Sequence, residues 1–186
     1  MVPRFRVPGS GFQVLQSVVN ADSACAGAHS FKNWMNGYSM LVRPAQPVDA
    51  EEWLRMRLEL WPGESGEHRA TIDRYFAGHR REPKEVLIAV NERGSAVGFA
   101  ELSIRNIVDS CVTDRVGYLE GWFVDAAYRR RGVGRALVRA AEAWALQQGC
   151  TEFASDALID NSVSRAGLLA LGFAETGQVR NFRKIL

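Results

Sequence analysis

The sequence YLEGWFVDAAYRRRGVGR, residues 118–135, decides how the rest of the chain is organised. Residues 118–124 are a strand-like apolar run, and a basic turn containing glycine follows them. The turn opens an amphipathic helical pattern that continues to residue 148. A helix that begins directly after such a turn presents unpaired backbone N–H groups at its N-terminus. Together with the arginines, these groups predict a site for a phosphorylated ligand.

The turn itself reads RRRGVG at residues 129–134. Gly132 and Gly134 lack the side chains that would hold a pyrophosphate away from the backbone. The helix dipole contributes roughly 0.3–1 kcal/mol for each favourable anion contact, and arginines add charge-assisted hydrogen bonds. A solvated basic turn without a ligand is the alternative, because two glycines at this spacing are a weak motif alone.

The composition is that of one ordinary globular domain. The chain has 186 residues, of which 47% are hydrophobic and 24% are charged. A net charge of +2 is too small to indicate nucleic acid or an anionic membrane as the main partner. No apolar run approaches the ~20 residues of a membrane-spanning helix. Cys25, Cys111 and Cys150 lack the spacing of metal ligands, so we expect no metal and a reduced, cytoplasmic setting.

Periodic patterns predict three strands and two helices upstream of residue 118. Asp49 is expected to cap the first helix, which ends before Pro62. Ile72, Tyr75 and Phe76 are expected on the inner face of the second helix. The predicted strands are residues 40–43, 86–90 and 96–105, the second helix is residues 68–78, and residues 106–117 are a surface loop.

Downstream of residue 148, the pattern predicts a strand, a short helix and a closing hairpin. The strand is residues 151–156, the helix runs from 160 to 171, and the hairpin combines residues 173–176 and 179–185. This order of elements predicts an α+β (α/β layered) domain, in which a mixed sheet is flanked by helices. We expect the domain to span residues 40–186 and residues 1–39 to be a poorly ordered, dispensable leader.

The spacing Arg-x-x-Gly-x-Gly between a strand and an amphipathic helix resembles the acetyl-CoA pyrophosphate loop of the GCN5-related N-acetyltransferase (GNAT) superfamily. In that superfamily, the strand before the loop splays from its neighbour in a mostly antiparallel sheet, and its backbone pairs with the pantetheine arm. The resemblance therefore implies acetyl-CoA as cosubstrate. The residues implied to bind it are Trp122, Phe123 and Val124 at the pantetheine, Arg130, Arg131, Gly132, Val133, Gly134 and Arg135 at the pyrophosphate, and Asn161 at the start of the last helix.

A closer resemblance, to the aminoglycoside 6'-N-acetyltransferases, extends from residue 40 to residue 186. It is carried by WLxxRxxLW at 53–61, AExSIR at 100–105, LEGWFV at 119–124, FASD at 153–156, DN at 160–161 and LGFAET at 171–176. The resemblance implies acetylation of the 6'-amino group of aminoglycoside antibiotics, and hence resistance. By analogy with that family, it also implies a homodimer.

Aminoglycosides are polycations, so a cleft that binds them should present carboxylates. Glu120 and Asp156 lie at the ends of neighbouring predicted strands, and the resemblance implies that both bind the aminoglycoside. Trp61 and Glu64, after the first helix, are assigned to the same cleft. Each carboxylate–ammonium bond contributes about 1.5–3 kcal/mol when it is shielded from water. A structural cap or a surface ion pair is the alternative for the carboxylates, and core packing is the alternative for Trp61.

Acetyl transfer needs a neutral amine, whereas a primary ammonium group has a pKa of about 10.4. Glu120 is the candidate catalytic base, which would accept the proton through a water molecule. The amine would then attack the thioester directly while backbone N–H groups of the strand polarise its carbonyl. An acyl-enzyme on Cys111 or Cys150 is the competing route, but no histidine lies near either cysteine in the sequence.

Two departures from the family pattern fall on the acceptor side. Gly177 stands where family members often have an acidic residue, and residues 106–109 lack the tyrosine that normally enters the acceptor pocket. Two other functions stay open: acetylation of another small polyamine or of a protein amine, and a non-catalytic acetyl-CoA sensor. Glu120 and Asp156 argue against the sensor, because a sensor has no use for acceptor carboxylates.

Overall fold

Within the part of the chain that the structure describes, six strands form one sheet, and their spatial order is their order in the chain. The structure is a computed structural model that describes residues 31–35, 38–80, 82–180 and 182–185. The strands are β1 (Phe31–Met35), β2 (Tyr38–Pro44), β3 (Glu85–Val90), β4 (Ala96–Arg105), β5 (Val116–Val124) and β6 (Glu152–Ser155). Neighbours are antiparallel from β1 to β5, and β6 is parallel to β5. The predicted mixed, mostly antiparallel sheet is confirmed.

The described residues also form four α-helices that flank the sheet. They are α1 (Ala50–Leu60), α2 (Ser65–Phe76), α3 (Val133–Gln147) and α4 (Ser162–Ala170). Helix α2 begins three residues earlier than the pattern predicted. No helix among the described residues combines the length and the apolar character needed to cross a membrane.

Each face of the sheet buries its own apolar cluster. On the face covered by α3, Leu119 and Leu137 are fully buried. On the face covered by α1 and α2, Ile72 and Tyr75 are buried and Phe76 packs against the same cluster. The predicted inner face of the second helix is therefore confirmed. The central strands are fixed from both sides, which gives the site a rigid base.

Asp49 precedes α1 as predicted, but its side chain does not cap the helix. Its carboxylate instead accepts hydrogen bonds from the backbone N–H of Gln46 at 2.7 Å and from both terminal nitrogens of Arg43 at 2.6 and 2.9 Å. Asp49 ends a 3-10 turn and has helical torsions itself, so its carboxylate serves the turn before it. The predicted cap is wrong in this respect.

The closing hairpin predicted after residue 172 is wrong for the residues described there. Residues 173–180 and 182–185 form neither strand nor helix. Val179, Phe182 and Ile185 have relative exposures of 63%, 93% and 81%. A strand persists only where it is paired and its side chains pack, and these three side chains are largely exposed. Strand β6 consequently forms an edge of the sheet.

Strand β1 lies upstream of Met40, in the stretch that the sequence assigned to the leader. It pairs with β2 from Phe31 opposite Val42 to Met35 opposite Tyr38. Such pairing uses backbone groups and requires no periodic apolar pattern. Residues 1–30, most of the predicted leader, lie outside the described residues, so the domain boundary at residue 40 stays a prediction.

Candidate active site

A β-bulge at Glu120 brings two consecutive residues of β5 to one face of the sheet. The pairing of β5 with β4 shifts by one residue there, so Glu120 has no partner in the ladder. Its carboxylate accepts a hydrogen bond from the hydroxyl of Ser103. The next residue, Gly121, lies so close beneath Trp61 that an added Cβ would be 2.3 Å from the indole ring. The bulge therefore turns the Glu120 carboxylate toward the side of the sheet that carries Trp61.

Strands β5 and β6 separate beyond Leu119. Strand β6 pairs with residues 116–119 and ends at Ser155, whereas β5 continues to Val124. In the described part of the chain, no strand pairs with the edge of residues 120–124 that faces away from β4. That edge presents backbone donors and acceptors to an extended ligand that contains amides. The splay of the central strand pair is the feature that the resemblance implied.

The side chains along this open edge are engaged in packing. Trp122 lies against α3 and α4, because a Cβ added at Gly134 or Gly167 would be 2.6 or 3.1 Å from its indole ring. Phe123 is buried on the opposite face, and Val124 packs against the α3 cluster. These three residues are predicted to contact pantetheine. Because their side chains are packed, only their backbone groups are available for that contact.

The basic turn between β5 and α3 has the backbone geometry of an anion site. Gly132 has a φ of +86°, and Arg130 has a φ of +59°. Both lie in the left-handed region, a conformation common in turns whose backbone N–H groups bind anions. The first N–H groups of α3 have no carbonyl partner within the helix. The turn and the first helical turn hold all six predicted pyrophosphate residues: Arg130, Arg131, Gly132, Val133, Gly134 and Arg135.

Arg129 has a structural role in the same turn. Its Nε donates a hydrogen bond to the carbonyl of Val124 at 2.9 Å, and its guanidinium carbon lies 5.7 Å from the ring centroid of Phe123. Arg129 therefore ties the turn to the end of β5. Its neighbours Arg130 and Arg131 are both exposed on the surface of the turn.

Asn161 lies at the start of α4, as the sequence predicted. Its Oδ1 accepts a hydrogen bond from the backbone N–H of Ser164 at 3.0 Å, which caps the helix. The cap fixes the orientation of the side-chain amide. The predicted cofactor role for Asn161 therefore requires its side-chain amide to cap the helix and contact the cofactor at the same time.

A cavity of about 960 Å³ lies at the end of β6. Its wall includes Asp156, Tyr118 and Arg105. The hydroxyl of Tyr118 donates a hydrogen bond to Asp156 at 2.6 Å. Burial raises the pKa of Tyr118, and the Asp156 carboxylate raises it further, so the phenol stays protonated. The rest of the wall comes mainly from residues 107–110, 157–160 and 173–179, which include Gly177.

Glu120, the predicted catalytic base, is held by neighbouring side chains and does not line this cavity. Arg105 donates to both of its carboxylate oxygens, from Nε at 3.0 Å and from Nη2 at 2.5 Å. The guanidinium carbon of Arg105 also lies 3.5 Å from the ring centroid of Tyr118. Arg105 therefore stands between Glu120 and the cavity, and it separates the two predicted acceptor carboxylates.

No role at the site was predicted from the sequence for Arg105, Tyr118 or Ser103. A signal for them was present, because Tyr118 and Glu120 are two residues apart on one strand and therefore share a face. Ser103 and Arg105 have the same relation on the neighbouring strand. Their contact with Glu120 was hidden because it depends on the register between the strands, which the bulge shifts.

Trp61 lies beside the bulge at the end of α1. Its ring packs edge-on against Phe99, with 6.3 Å between the ring centroids. The guanidinium carbon of Arg57 is 5.0 Å from the Trp61 centroid, and Arg57 is paired with the buried Glu101 at 2.5 Å. Glu64 lies at the boundary of α2, where it is exposed and does not cap the helix. Trp61 therefore packs against the core beside Gly121, and neither Trp61 nor Glu64 lines the cavity at the end of β6.

Cys111 and Cys150 are poor candidates for a nucleophile. Cys150 is buried, and burial together with the nearby Glu152 raises the pKa of Cys111. A thiol attacks as its thiolate, so a raised pKa disfavours an acyl-enzyme. In the described residues, His, Cys, Asp and Glu side chains form no group of three or more suited to a metal ion.

Comparison with known proteins gives the same family throughout. Residues 50–173 match the Acetyltransferase (GNAT) family. The "Aminoglycoside N(6')-acetyltransferase type 1" of Klebsiella aerogenes is 52% identical over 149 residues, which are 80% of this chain and 98% of that protein. The protein of the same name from Acinetobacter haemolyticus is 38% identical over 146 residues, 78% of this chain and 98% of that protein.

Solved structures with the same fold include two of aminoglycoside-modifying enzymes. The aminoglycoside 6'-N-acetyltransferase AAC(6')-Ig from Acinetobacter haemolyticus has a TM-score of 0.72 and 38% identity, over 78% of this chain and 98% of that one. AAC(6')-Iy in complex with the bisubstrate analog CoA-S-monomethyl-acetylneamine has a TM-score of 0.72 and 36% identity, over 79% of this chain and 99% of that one.

Proposed function

This chain belongs to the acetyltransferase (GNAT) family and, within it, to the aminoglycoside 6'-N-acetyltransferases, and we propose that it transfers the acetyl group of acetyl-CoA to the 6'-amino group of aminoglycoside antibiotics. One observation carries the proposal. The open edge of β5 leads at one end into the N-terminus of α3 and at the other end into a cavity that bears carboxylates. A single strand could thus bind acetyl-CoA along its open edge and also reach the cavity proposed for the aminoglycoside. Acetylation removes a positive charge from the drug and gives resistance.

The donor half of the site uses mainly backbone groups. The amides of the pantetheine arm would pair with the open edge of β5 at Trp122, Phe123 and Val124. The pyrophosphate would lie at the N-terminus of α3, where the N–H groups of the first helical turn, the helix dipole and the arginines of the basic turn would bind it. The residues assigned to it are Arg130, Arg131, Gly132, Val133, Gly134 and Arg135, and Asn161 would contact the cofactor from the start of α4.

The acceptor half of the site uses side chains. Asp156 lines the cavity and Glu120 lies behind Arg105, so both can bind ammonium groups once a substrate enters. Trp61 would border the sugar rings beside Glu120. Glu64, exposed in the adjoining loop, would add a carboxylate at the rim.

The reaction is direct transfer. The neutral 6'-amine attacks the thioester carbonyl, the new C–N bond forms and the C–S bond breaks. Backbone N–H groups of β5 polarise the carbonyl oxygen. CoA leaves as its thiolate, which takes up the proton that the amine nitrogen loses as the amide forms. Glu120 accepts the proton from the substrate ammonium through a water molecule, which requires that Arg105 release at least one carboxylate oxygen.

Release of free CoA tests the proposal. We expect acetyl-CoA-dependent turnover with kanamycin and tobramycin, and mass spectrometry should locate one acetyl group on the 6'-amine. An aminoglycoside without a 6'-amino group serves as the matched control and should not be acetylated there.

The competing functions give different results in the same assay. Turnover with a polyamine or a peptide amine but with no aminoglycoside would establish a different acceptor. Binding of acetyl-CoA without turnover on any amine would establish a sensor. Neither outcome would alter the assignment of the donor half of the site.

A homodimer is part of this proposal. Val179, Phe182 and Ile185 expose apolar side chains after α4, and β6 is an edge strand. A second copy of the chain would cover both features. Light scattering should give the mass of a dimer, and replacement of these three residues by serine should give a monomer. A wild-type monomer at assay concentration would contradict the dimer without touching the catalytic proposal.

We also place the enzyme in the cytoplasm. Cys111 and Cys150 are both unpaired, as expected in a reducing compartment. Fractionation of cells that produce the protein would test this location.

A further inference from the structure

The Glu120 carboxylate is already occupied by a cation of the same chain. Arg105 binds both of its oxygens in a two-pronged arrangement, with donor–acceptor distances of 3.0 and 2.5 Å. The side chain of Arg105 is 42% exposed, whereas that of Glu120 is 21% exposed. The cation is therefore the outer partner, and a ligand that approaches from the cavity meets Arg105 first.

The surroundings of Arg105 resemble what a substrate ammonium group would need. Its guanidinium lies over the ring of Tyr118, with 3.5 Å between the guanidinium carbon and the centroid. The hydroxyl of Tyr118 donates a hydrogen bond to Asp156, so a second carboxylate lies at the hydroxyl end of the same ring. A carboxylate, an aromatic face and a second nearby carboxylate are the groups that bind an organic cation.

We propose that Arg105 is a specificity-determining residue, an internal cation that occupies the ammonium subsite between Glu120 and Asp156 until a polycationic acceptor displaces it. This inference rests on the proposed function and names the chemistry of its acceptor. A monoamine offers one charge in exchange for an intramolecular guanidinium that makes two hydrogen bonds and a ring contact. A polycation brings further ammonium groups to Asp156 and the rest of the wall, so it can compete.

Displacement of Arg105 is sterically feasible. Its side chain ends at the cavity wall and is more than one-third exposed, so it can turn toward solvent without opening the core. Glu120 also accepts a hydrogen bond from Ser103, a partner that does not depend on Arg105. The carboxylate thus stays in place while its cationic partner changes.

The variant Arg105→Gln tests the proposal directly. Calorimetry without acetyl-CoA should show kanamycin and spermine binding roughly fivefold to tenfold more tightly than to the wild type, because a competing charge-assisted pair is lost. Affinity for the monoamine benzylamine should increase by a larger factor, so that selectivity for polycations falls. Arg105→Lys keeps the charge but loses the two-pronged geometry, so its affinity for these ligands should lie between those of the wild type and Arg105→Gln. It also replaces Arg105→Gln in the test if that variant does not fold.

Arg165→Gln is the matched control. Arg165 lies on the same cavity wall and is paired with Glu175 at 2.6 Å, but it does not cover Glu120. An equal gain in affinity in this variant would show a general charge effect and would overturn the proposal. Unchanged or weaker binding by Arg105→Gln would also overturn it, since a purely structural bridge weakens the site when it is removed.

Different results would refute the displacement of Arg105 and the proposed acetylation of aminoglycosides. If the wild type acetylates kanamycin but Arg105→Gln does not bind it more tightly, the displacement of Arg105 is refuted and the proposed function stands. If Arg105→Gln binds spermine more tightly but no aminoglycoside is acetylated, the subsite is supported and the proposed function is refuted.

Discussion

At the scale of single residues, charge decides how this protein would select its acceptor. Glu120 and Asp156 are linked by a chain of contacts: Glu120 binds Arg105, Arg105 lies over the Tyr118 ring, and the Tyr118 hydroxyl binds Asp156. The sequence predicted both carboxylates but not the groups between them. Side-chain identity can be taken from a motif, whereas the partner of a side chain depends on strand register.

We expect Asp156→Asn to lower kcat/KM for aminoglycosides roughly tenfold to a hundredfold, the equivalent of one charge-assisted hydrogen bond. Glu120→Gln should lower it by about 10²–10⁴-fold, because it also removes the proposed base. Steady-state kinetics with kanamycin measures this loss. Affinity for acetyl-CoA, measured by calorimetry, should be nearly unchanged because the donor half of the site uses other groups. Unaltered turnover in both variants would show that the acceptor site lies elsewhere.

A second residue-scale prediction concerns the buried pair beneath Trp61. Glu101 is 3% exposed and is bound by Arg57 at 2.5 Å and by the indole N–H of Trp53 at 2.8 Å. Burial raises the pKa of Glu101, and Arg57 opposes that rise. In Arg57→Met the opposition is lost, so the folded-state pKa should move further above the unfolded value of about 4.3.

The sign of the resulting pH dependence follows from linkage. A carboxyl group with a raised folded-state pKa contributes stability below its unfolded pKa and loses it as the pH rises through the folded-state value. Arg57→Met should therefore lose more unfolding free energy at pH 8 than at pH 5, with about 3–5 kcal/mol lost at the higher pH. Denaturant unfolding at both pH values measures it. The double variant Arg57→Met, Glu101→Gln should show no such difference, and persistence of the difference there would assign it to another group.

At the scale of elements, β5 and α3 carry the proposed donor half of the site. Their existence was predictable, because a strand-like run and an amphipathic helix flank a glycine-bearing turn. The bulge in β5 could not be predicted, because a one-residue shift in register does not change the pattern of an apolar run that contains a single charged residue. The predicted closing hairpin failed for a related reason. Apolar residues after Gly172 suggested strands, but Val179, Phe182 and Ile185 are largely exposed, and a strand needs packed side chains to be stable.

The role of Gly132, which precedes α3, can be tested by comparison with Gly149, which follows the helix. Gly132 and Gly149 have φ values of +86° and +79°, so alanine at either position should cost about 1–2 kcal/mol of stability. We expect Gly132→Ala alone to weaken acetyl-CoA binding as well, by roughly tenfold, because the turn must keep its N–H groups aimed at the pyrophosphate.

Thermal unfolding and acetyl-CoA calorimetry on both variants make this comparison. An added Cβ at Gly149 would meet only the Arg115 Nε, at 3.9 Å, so this control is free of steric conflict. Equal acetyl-CoA affinities in the two variants would argue that the pyrophosphate does not bind at this turn.

At the scale of the whole molecule, the fold places the site far from the beginning of the sheet. The sheet order separates β1 from β5 by three strands, and the donor and acceptor halves both depend on β4 to β6. The layered architecture was predictable from the order of elements. The extension of the sheet into the predicted leader was not, because the pairing of β1 depends on backbone groups.

We expect a chain that begins at Met40 to stay soluble and to keep the kcat/KM of the full chain. A chain that begins at residue 30 retains β1 and is the matched control. Loss of activity or solubility in the shorter chain alone would show that β1 belongs to the functional domain. Loss in both would assign a role to the residues before it.

The packing of Trp122, Phe123 and Val124 has a consequence for how the drug spectrum evolves. Their side chains are fixed in the two cores, so an acetyl donor would be recognised through a backbone whose shape many sequences share. The acceptor wall, by contrast, is built from loop and edge side chains, and Gly177 has open space beside it. Substitutions can therefore accumulate on that wall without loss of acetyl-CoA binding. Selection by a new aminoglycoside would act on half of this site and leave the other half unchanged.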